Sequence, residues 1–168
     1  MSEKLQMRRV RDLNDPDVVS LVAKSDKYLS SLYPPESNHA EPLDVLVGED
    51  SVFFAGHIGE QLVACGAVKL VEGDTTYGEI KRVFVAEEQR GKRLATAVMQ
   101  HLEDYLLSIG VRVARLEAGP LQPEALSLYR KLGYTDRGPF GPYRADPLSV
   151  FMEKTLSYNS STSMTEHC

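Results

Sequence analysis

With 168 residues, 42% of them apolar, the chain is long enough for one domain with a sizeable core and too apolar to remain disordered. A net charge of −5 argues against nucleic acid as the main partner, because phosphate recognition needs a broad basic surface. Two cysteines make no disulfide framework, no apolar run reaches bilayer length and no leader or lipidation signal is present, so a cytoplasmic, reducing setting without membrane contact is expected.

Leu5 to Val10 alternates in character and reads as a first strand. Asp12, Asn14 and Asp15 are candidate caps for a helix opened by Pro16, with Val18, Val19, Leu21 and Val22 on it and room for a second helix around Tyr28 to Leu32. Pro34, Pro35 and Pro42 then break the chain into a loop that can carry a short helix. Val52 to His57 and Leu62 to Leu70, joined by a turn containing Gly59, predict a hairpin in which Cys65 is a buried thiol. A turn over Glu72 to Thr76 leads into a strand from Tyr77 to Val85.

Apolar residues then recur at helical spacing: Leu94, Val98, Leu102, Leu106 and Ile109. Val111 to Glu117 is another strand. A short helix follows, with Pro123 at its first position, Glu124 in its first turn, Lys131 in its last and Gly133 as its stop. Tyr134 to Arg137 and Leu148 to Lys154 are strands around a Gly/Pro-rich loop. Residues 157–168 are rich in Ser, Thr and Asn, so a single domain over 1–156 with a disordered tail and an exposed Cys168 is expected. His39, His57, His101, His167 and the two cysteines show no paired ligand spacing, and no metal is expected.

Arg90-Gly91-Lys92-Arg93-Leu94-Ala95 joins the Tyr77–Val85 strand to the following helix. A strand, a basic Gly-containing turn and a helix start together make an anion site. The free N–H groups of the first helical turn and the helix dipole both favour negative charge. A phosphate or pyrophosphate is the implied guest. Neither G-x-x-x-x-G-K-[ST] nor G-x-G-x-x-G occurs.

The hexapeptide resembles the pyrophosphate motif R/Q-x-x-G-x-G/A of the GNAT superfamily of N-acetyltransferases, with Arg93 in place of the inner Gly. Gln122 to Tyr134 is similar to a second GNAT signature, N-x-x-A-x-x-L-Y-x-K-x-G-F/Y, with Gln122 where Asn is usual. The segments Tyr33 to His39, Gly78 to Arg82 and Gly138 to Tyr143 look like one widespread microbial subgroup of that superfamily.

The resemblance implies a mixed α/β sheet with helices on both faces and a splayed strand pair that receives the pantetheine arm of acetyl-CoA. It implies cofactor contacts from Val83, Phe84, Val85, Arg90, Gly91, Lys92, Arg93, Leu94, Ala95, Gln122 and Tyr129. Tyr129 is then the acid for the departing thiolate, or else a core aromatic of its helix. A backbone N–H at Phe84 or Val85 would face the developing oxyanion. Glu79 would be the base, or else a strand carboxylate paired with Lys81 or Arg82.

Around the acceptor, Glu117 could recognise a substrate cation or cap a helix, and His39 is a candidate because imidazole titrates near neutrality. Glu36, Ser37, Asn38, Tyr143 and Arg144 lie in the two Pro-rich loops that would set specificity, with Arg144 favouring a carboxylate-bearing amine. The expected reaction is acetyl transfer to a small-molecule amine in a ternary complex, with a homodimer left open. The alternatives are a protein Lys or N-terminal acceptor, or a non-catalytic acyl-CoA-binding module.

Overall fold

Alternation along strand β2 (Ser51–Ile58) sorts the molecule into two layers. Val52 and Phe54 enter a core with helix α3 (Leu94–Ser108), while Phe53 and Ala55 enter a second core with helix α1 (Pro16–Leu32) and the short helix α2 (Leu43–Leu46). The remaining elements are β1 (Gln6–Val10), β3 (Gln61–Val71), β4 (Tyr77–Val85), β5 (Val113–Ala118), α4 (Pro123–Lys131), β6 (Thr135–Arg137) and β7 (Val150–Thr155). This computed structural model describes residues 4–158. The expected disorder from 159 onward, the exposure of Cys168 and any role of His167 lie outside the described residues.

The seven strands form one mixed sheet in the order β1-β2-β3-β4-β5-β7-β6. Every neighbouring pair is antiparallel except β4 with β5. Helix α3 lies close on one face. A methyl group at Gly66 would meet Val98 at 2.7 Å, and one at Gly78 would meet Leu106 at 2.3 Å, so larger residues there would lift the helix off the sheet.

Several expected boundaries shift for local reasons. Only one helix precedes the Pro-rich loop. Asp15 caps it by accepting from the Asp17 and Val18 N–H groups, and it runs unbroken to Leu32, where Tyr33 turns extended before Pro34. The strand expected from Val111 begins at Val113, because the Val111 N–H bonds back to Leu106 after left-handed Gly110. Left-handed Gly133 likewise draws Tyr134 into the end of α4, so β6 starts at Thr135. The last strand starts at Val150, since Leu148 belongs to a turn closed by Asp146.

The feature that makes room for function is a strand separation. β4 pairs with β5 only at Gly78, Glu79 and Ile80, and then continues to Val85 without it. On its other side the register against β3 shifts between Cys65 and Ala67, opposite Arg82, whose φ is +57°. Such a bulge bends a strand and re-aims its side chains. Past it, β4 has no strand partner on the β5 side.

Candidate active site

The first of three linked cavities lies between the end of β4, the Arg90–Ala95 turn and α4. Gly91 has φ +83° and Arg93 has φ +62°, so the turn coils tightly into α3. Arg93 is the N-cap of α3 and gives no side-chain cap bond. The first N–H groups of that helix are therefore left for a ligand. Arg90, Gly91, Arg93, Leu94 and Ala95 line the cleft together with Val83, Phe84 and Val85. Lys92 is not among the lining residues; its Nζ donates to Gln89 at 2.9 Å. The Arg90 guanidinium is held over the Tyr28 and Phe84 rings at 4.9 and 5.6 Å, and its Nε donates to the Val85 carbonyl at 3.2 Å.

A left-handed non-glycine residue carries strain on the order of 1 kcal/mol or more. Arg93→Gly is therefore expected to raise Tm by roughly 2–4 °C. Thermal unfolding checks this directly. An unchanged or lower Tm, with weaker acetyl-CoA binding, would mean that the guanidinium contributes more through contacts than its backbone loses in strain.

The second cavity, about 130 Å³, opens from the first; Tyr28, Val83, Phe84, Gln122, Ala125 and Tyr129 line both. It occupies the gap where β5 leaves β4. Tyr129 projects into it from α4 and is 9% exposed. Burial, with the Glu117 charge adding to it, pushes the Tyr129 hydroxyl up to about 12. Glu117, at the end of β5, has a side chain only 13% exposed. Burial pushes its carboxyl up to about 7; Lys81 opposes that rise, while Glu79 and Asp146 add to it. Tyr33 closes one side. Its hydroxyl donates to Gln122 Oε1 at 3.2 Å, and a methyl group at Gly119 would stand 1.8 Å from its oxygen. Only glycine lets the end of α1 settle there.

The third cavity shares Asn38, His39, Ala40, Glu41, Lys81 and Tyr143 with the second. At its floor the Lys81 ammonium donates to Glu79 at 3.2 Å and to Tyr143 at 3.0 Å, and lies 3.4 Å from Glu41. The Tyr143 hydroxyl makes a short hydrogen bond to Glu79. Its own ionisation is driven far above the ordinary phenol value, by burial first and the Glu79 charge second. Glu79 thus pairs with Lys81 and not with Arg82. Arg82 instead reaches over the other face, donating twice to the Glu41 carbonyl and to Asp26, which ties the acceptor loop to α1.

Ser37 and Asn38 hold the loops in shape. Ser37 Oγ donates to Asp146 at 2.7 Å, and Asn38 Oδ1 accepts from the Ala40 N–H at 3.3 Å. Glu36 and Arg144 line the outer cavity and are exposed. His39, Glu117 and Tyr143 converge on the middle cavity. Sequence reasoning missed Tyr28, Tyr33, Glu41, Lys81 and Asp146 as site residues. Their contribution depends on contacts across the sheet and between loops, which no local pattern encodes. Among the described residues no cluster of His, Cys, Asp and Glu could hold a metal ion, and no helix is long and apolar enough to cross a membrane.

A strand pair that parts beside an uncapped helix start leaves a cleft with free backbone donors at one end and a buried tyrosine in its wall. The family model for GNAT acetyltransferases matches residues 16–134, and the chain belongs to that family. It is 42% identical over 139 residues to a protein named IAA acetyltransferase from Azospirillum brasilense, covering 83% of this chain and 90% of that one. It is 36% identical over 150 residues to the uncharacterized N-acetyltransferase YsnE of Bacillus subtilis, covering 88% and 98%.

A crystal structure of a Klebsiella pneumoniae protein assigned as an acyl-CoA N-acyltransferase superposes with a TM-score of 0.74 at 30% identity, over 91% of this chain and 98% of that one. The PaiA N-acetyltransferase of Thermoplasma acidophilum, solved in complex with coenzyme A, shares the fold with a TM-score of 0.67 at 14% identity, over 91% and 99%. The protein is thus an N-acetyltransferase built on the GNAT fold.

Proposed function

We propose that the protein transfers the acetyl group of acetyl-CoA to the primary amine of a small molecule, by direct attack with both substrates bound. The observation that carries this reading is the continuity of the three cavities, with Glu117 and Tyr129 both lining the middle one. The inner cleft offers free helix N–H groups, Arg90 and Arg93 to phosphates, and unpaired β4 backbone to the pantetheine arm.

Glu117 is the base. An alkylammonium with a pKa of about 10 is no nucleophile until it loses a proton. A carboxylate near 7 is stronger than an ordinary one and still ionised at slightly alkaline pH. Glu79 has its charge engaged by Lys81 and Tyr143, and its role is to shape the acceptor floor. The amine lone pair attacks the thioester carbonyl. N–H groups of β4 at Phe84 or Val85 stabilise the oxyanion, the C–S bond breaks, and Tyr129 supplies a proton to sulfur.

The acceptor loops are joined across the opening by the Ser37–Asp146 hydrogen bond and by the edge-on His39–Tyr143 contact at 5.3 Å. This enclosure favours a small molecule over a protein side chain.

Thermal shift with acetyl-CoA, alongside free-thiol release over a panel of amines, amino acids, peptides and IAA, tests the reading. Acetyl-CoA at a hundredfold excess over its Kd is expected to stabilise the protein by roughly 3 kcal/mol. Thiol release is expected with at least one small amine. No shift at millimolar acetyl-CoA removes the cofactor assignment. Binding without release for any acceptor leaves an acyl-CoA-binding module, and release with peptides alone moves the acceptor to a protein amine.

A further inference from the structure

We infer that His39 carries the acceptor's proton from Glu117 to solvent, so that the two side chains form a relay at the seam between the middle and outer cavities. The inference rests on the acetyl-transfer reading and adds to it a route for the proton.

Proton balance sets the need. An alkylammonium and an acetyl thioester become an amide and a thiol. The nitrogen loses two protons: one replaces the acetyl group on sulfur, by way of Tyr129, and one must leave the site. Glu117 accepts the departing proton and has to release it before the next cycle. Its side chain is 13% exposed. With the inner cleft and the outer cavity filled by substrates, a buried carboxylate of this kind has no direct path to water.

His39 supplies one. Its Nε2 lies 3.9 Å from Glu117 Oε2, and its side chain is 33% exposed, so it borders both the buried carboxylate and the solvent. A contact of 3.9 Å is too long for a hydrogen bond. It needs to close by about 1 Å, the kind of tightening that catalytic contacts undergo when substrates bind. Imidazole suits the hand-over because it accepts at one nitrogen and donates from the other.

The ring is aimed by its surroundings. It stands edge-on to Tyr143, and the turn at Asn38 fixes the loop on which it rides. Two carboxylates, those of Glu117 and Asp146, lie near the ring. Glu117 lies on β5, and Asp146 is held in the facing loop by the Leu148 N–H and by Ser37, with an attraction to His39 as a further contribution. Lys81 and Glu79 on β4 face Glu117 from the other side and offset one another.

The test uses His39→Gln, His39→Ala, and imidazole added to the assay. Both variants are expected to fold like the wild type, because the residue is exposed. Both are expected to lose kcat by roughly 10²-fold with the KM for acetyl-CoA unchanged. Free imidazole should restore a large part of the His39→Ala rate with a dependence on its neutral form, and the solvent deuterium effect on kcat should grow. Wild-type kcat and pH profile in His39→Gln would overturn the relay, because glutamine packs but cannot pass a proton. So would a deficient His39→Ala that imidazole leaves unchanged. Absence of acetyl transfer by the wild-type protein itself would instead overturn the reaction on which the relay rests.

Discussion

Glu117→Gln is expected to lower kcat/KM by roughly 10²- to 10⁴-fold near neutral pH and, in the same protein, to raise Tm at alkaline pH. The kinetic half follows from loss of the base. Wild-type kcat/KM should climb as pH rises through about 7, where Glu117 ionises. The variant should lack that limb and recover only as the amine deprotonates unaided toward pH ~10.

The stability half follows from linkage. The folded-state pKa of Glu117 is raised from 4.5 to about 7, chiefly by burial. Below the unfolded value the group is protonated in both states and costs nothing. As pH climbs through the folded value, the native state carries the full cost of a buried charge, on the order of 3 kcal/mol. Glutamine never incurs that cost. The variant should therefore match the wild type near pH 4 and exceed it by several degrees at pH 8. Glu79→Gln should do the opposite to stability, because it removes the carboxylate that compensates the buried Lys81. Equal melting curves for wild type and Glu117→Gln at pH 8, together with unchanged kinetics, would make Glu117 an ordinary solvated carboxylate and reopen the assignment of the base to Glu79.

This division between two carboxylates marks where the sequence stops being legible. The Arg90–Ala95 turn could be read because its signals are local: a glycine, flanking charges, and a helical period starting at Leu94. The helix holding Tyr129 was legible for the same reason, with Pro123 at one end and Gly133 at the other. Glu79, near the start of one strand, and Glu117, near the end of the next, look alike in sequence as carboxylates set among apolar strand residues. What separates them is distant in the chain. Lys81 and Tyr143 engage Glu79, whereas Glu117 sits beyond the point where β4 and β5 part, in a pocket closed by Tyr33. Arg82 was likewise unreadable. Its left-handed backbone and its grip on the Glu41 carbonyl exist only because β3 and β4 shift register beside it. The Pro-rich loops were legible as rigid connections, but not the hydrogen bond from Ser37 to Asp146 that joins them.

Tyr129→Phe is the second substitution with a large expected effect, and it separates chemistry from packing. The ring is 9% exposed and lies against Tyr134 at 6.1 Å, so phenylalanine keeps the apolar contacts and the fold. Tyr129 lines the middle cavity and its packing against the core is made by the ring, which phenylalanine keeps, so Tm should hold. Acetyl-CoA affinity should change little, because in the proposed reading the phosphates meet the start of α3 and the pantetheine arm meets β4. Turnover should fall by roughly 10²- to 10⁴-fold, with kcat and kcat/KM dropping together. Burial and the Glu117 charge hold the phenol near 12, so it stays protonated across any practical assay range and imposes no alkaline limb of its own. In the proposed reaction its release of a proton is coupled to Glu117, whose charge raises the phenol's pKa. Once that carboxylate has taken the amine's proton, its charge no longer resists ionisation of the phenol, and the sulfur can be protonated in the same event. A thioester with a better leaving group needs less help from an acid, so an activated acetyl donor should narrow the gap between Tyr129→Phe and wild type. Wild-type kcat in a folded Tyr129→Phe, with acetyl-CoA itself as donor, would return the residue to the core of α4 and leave the thiolate to be protonated by solvent.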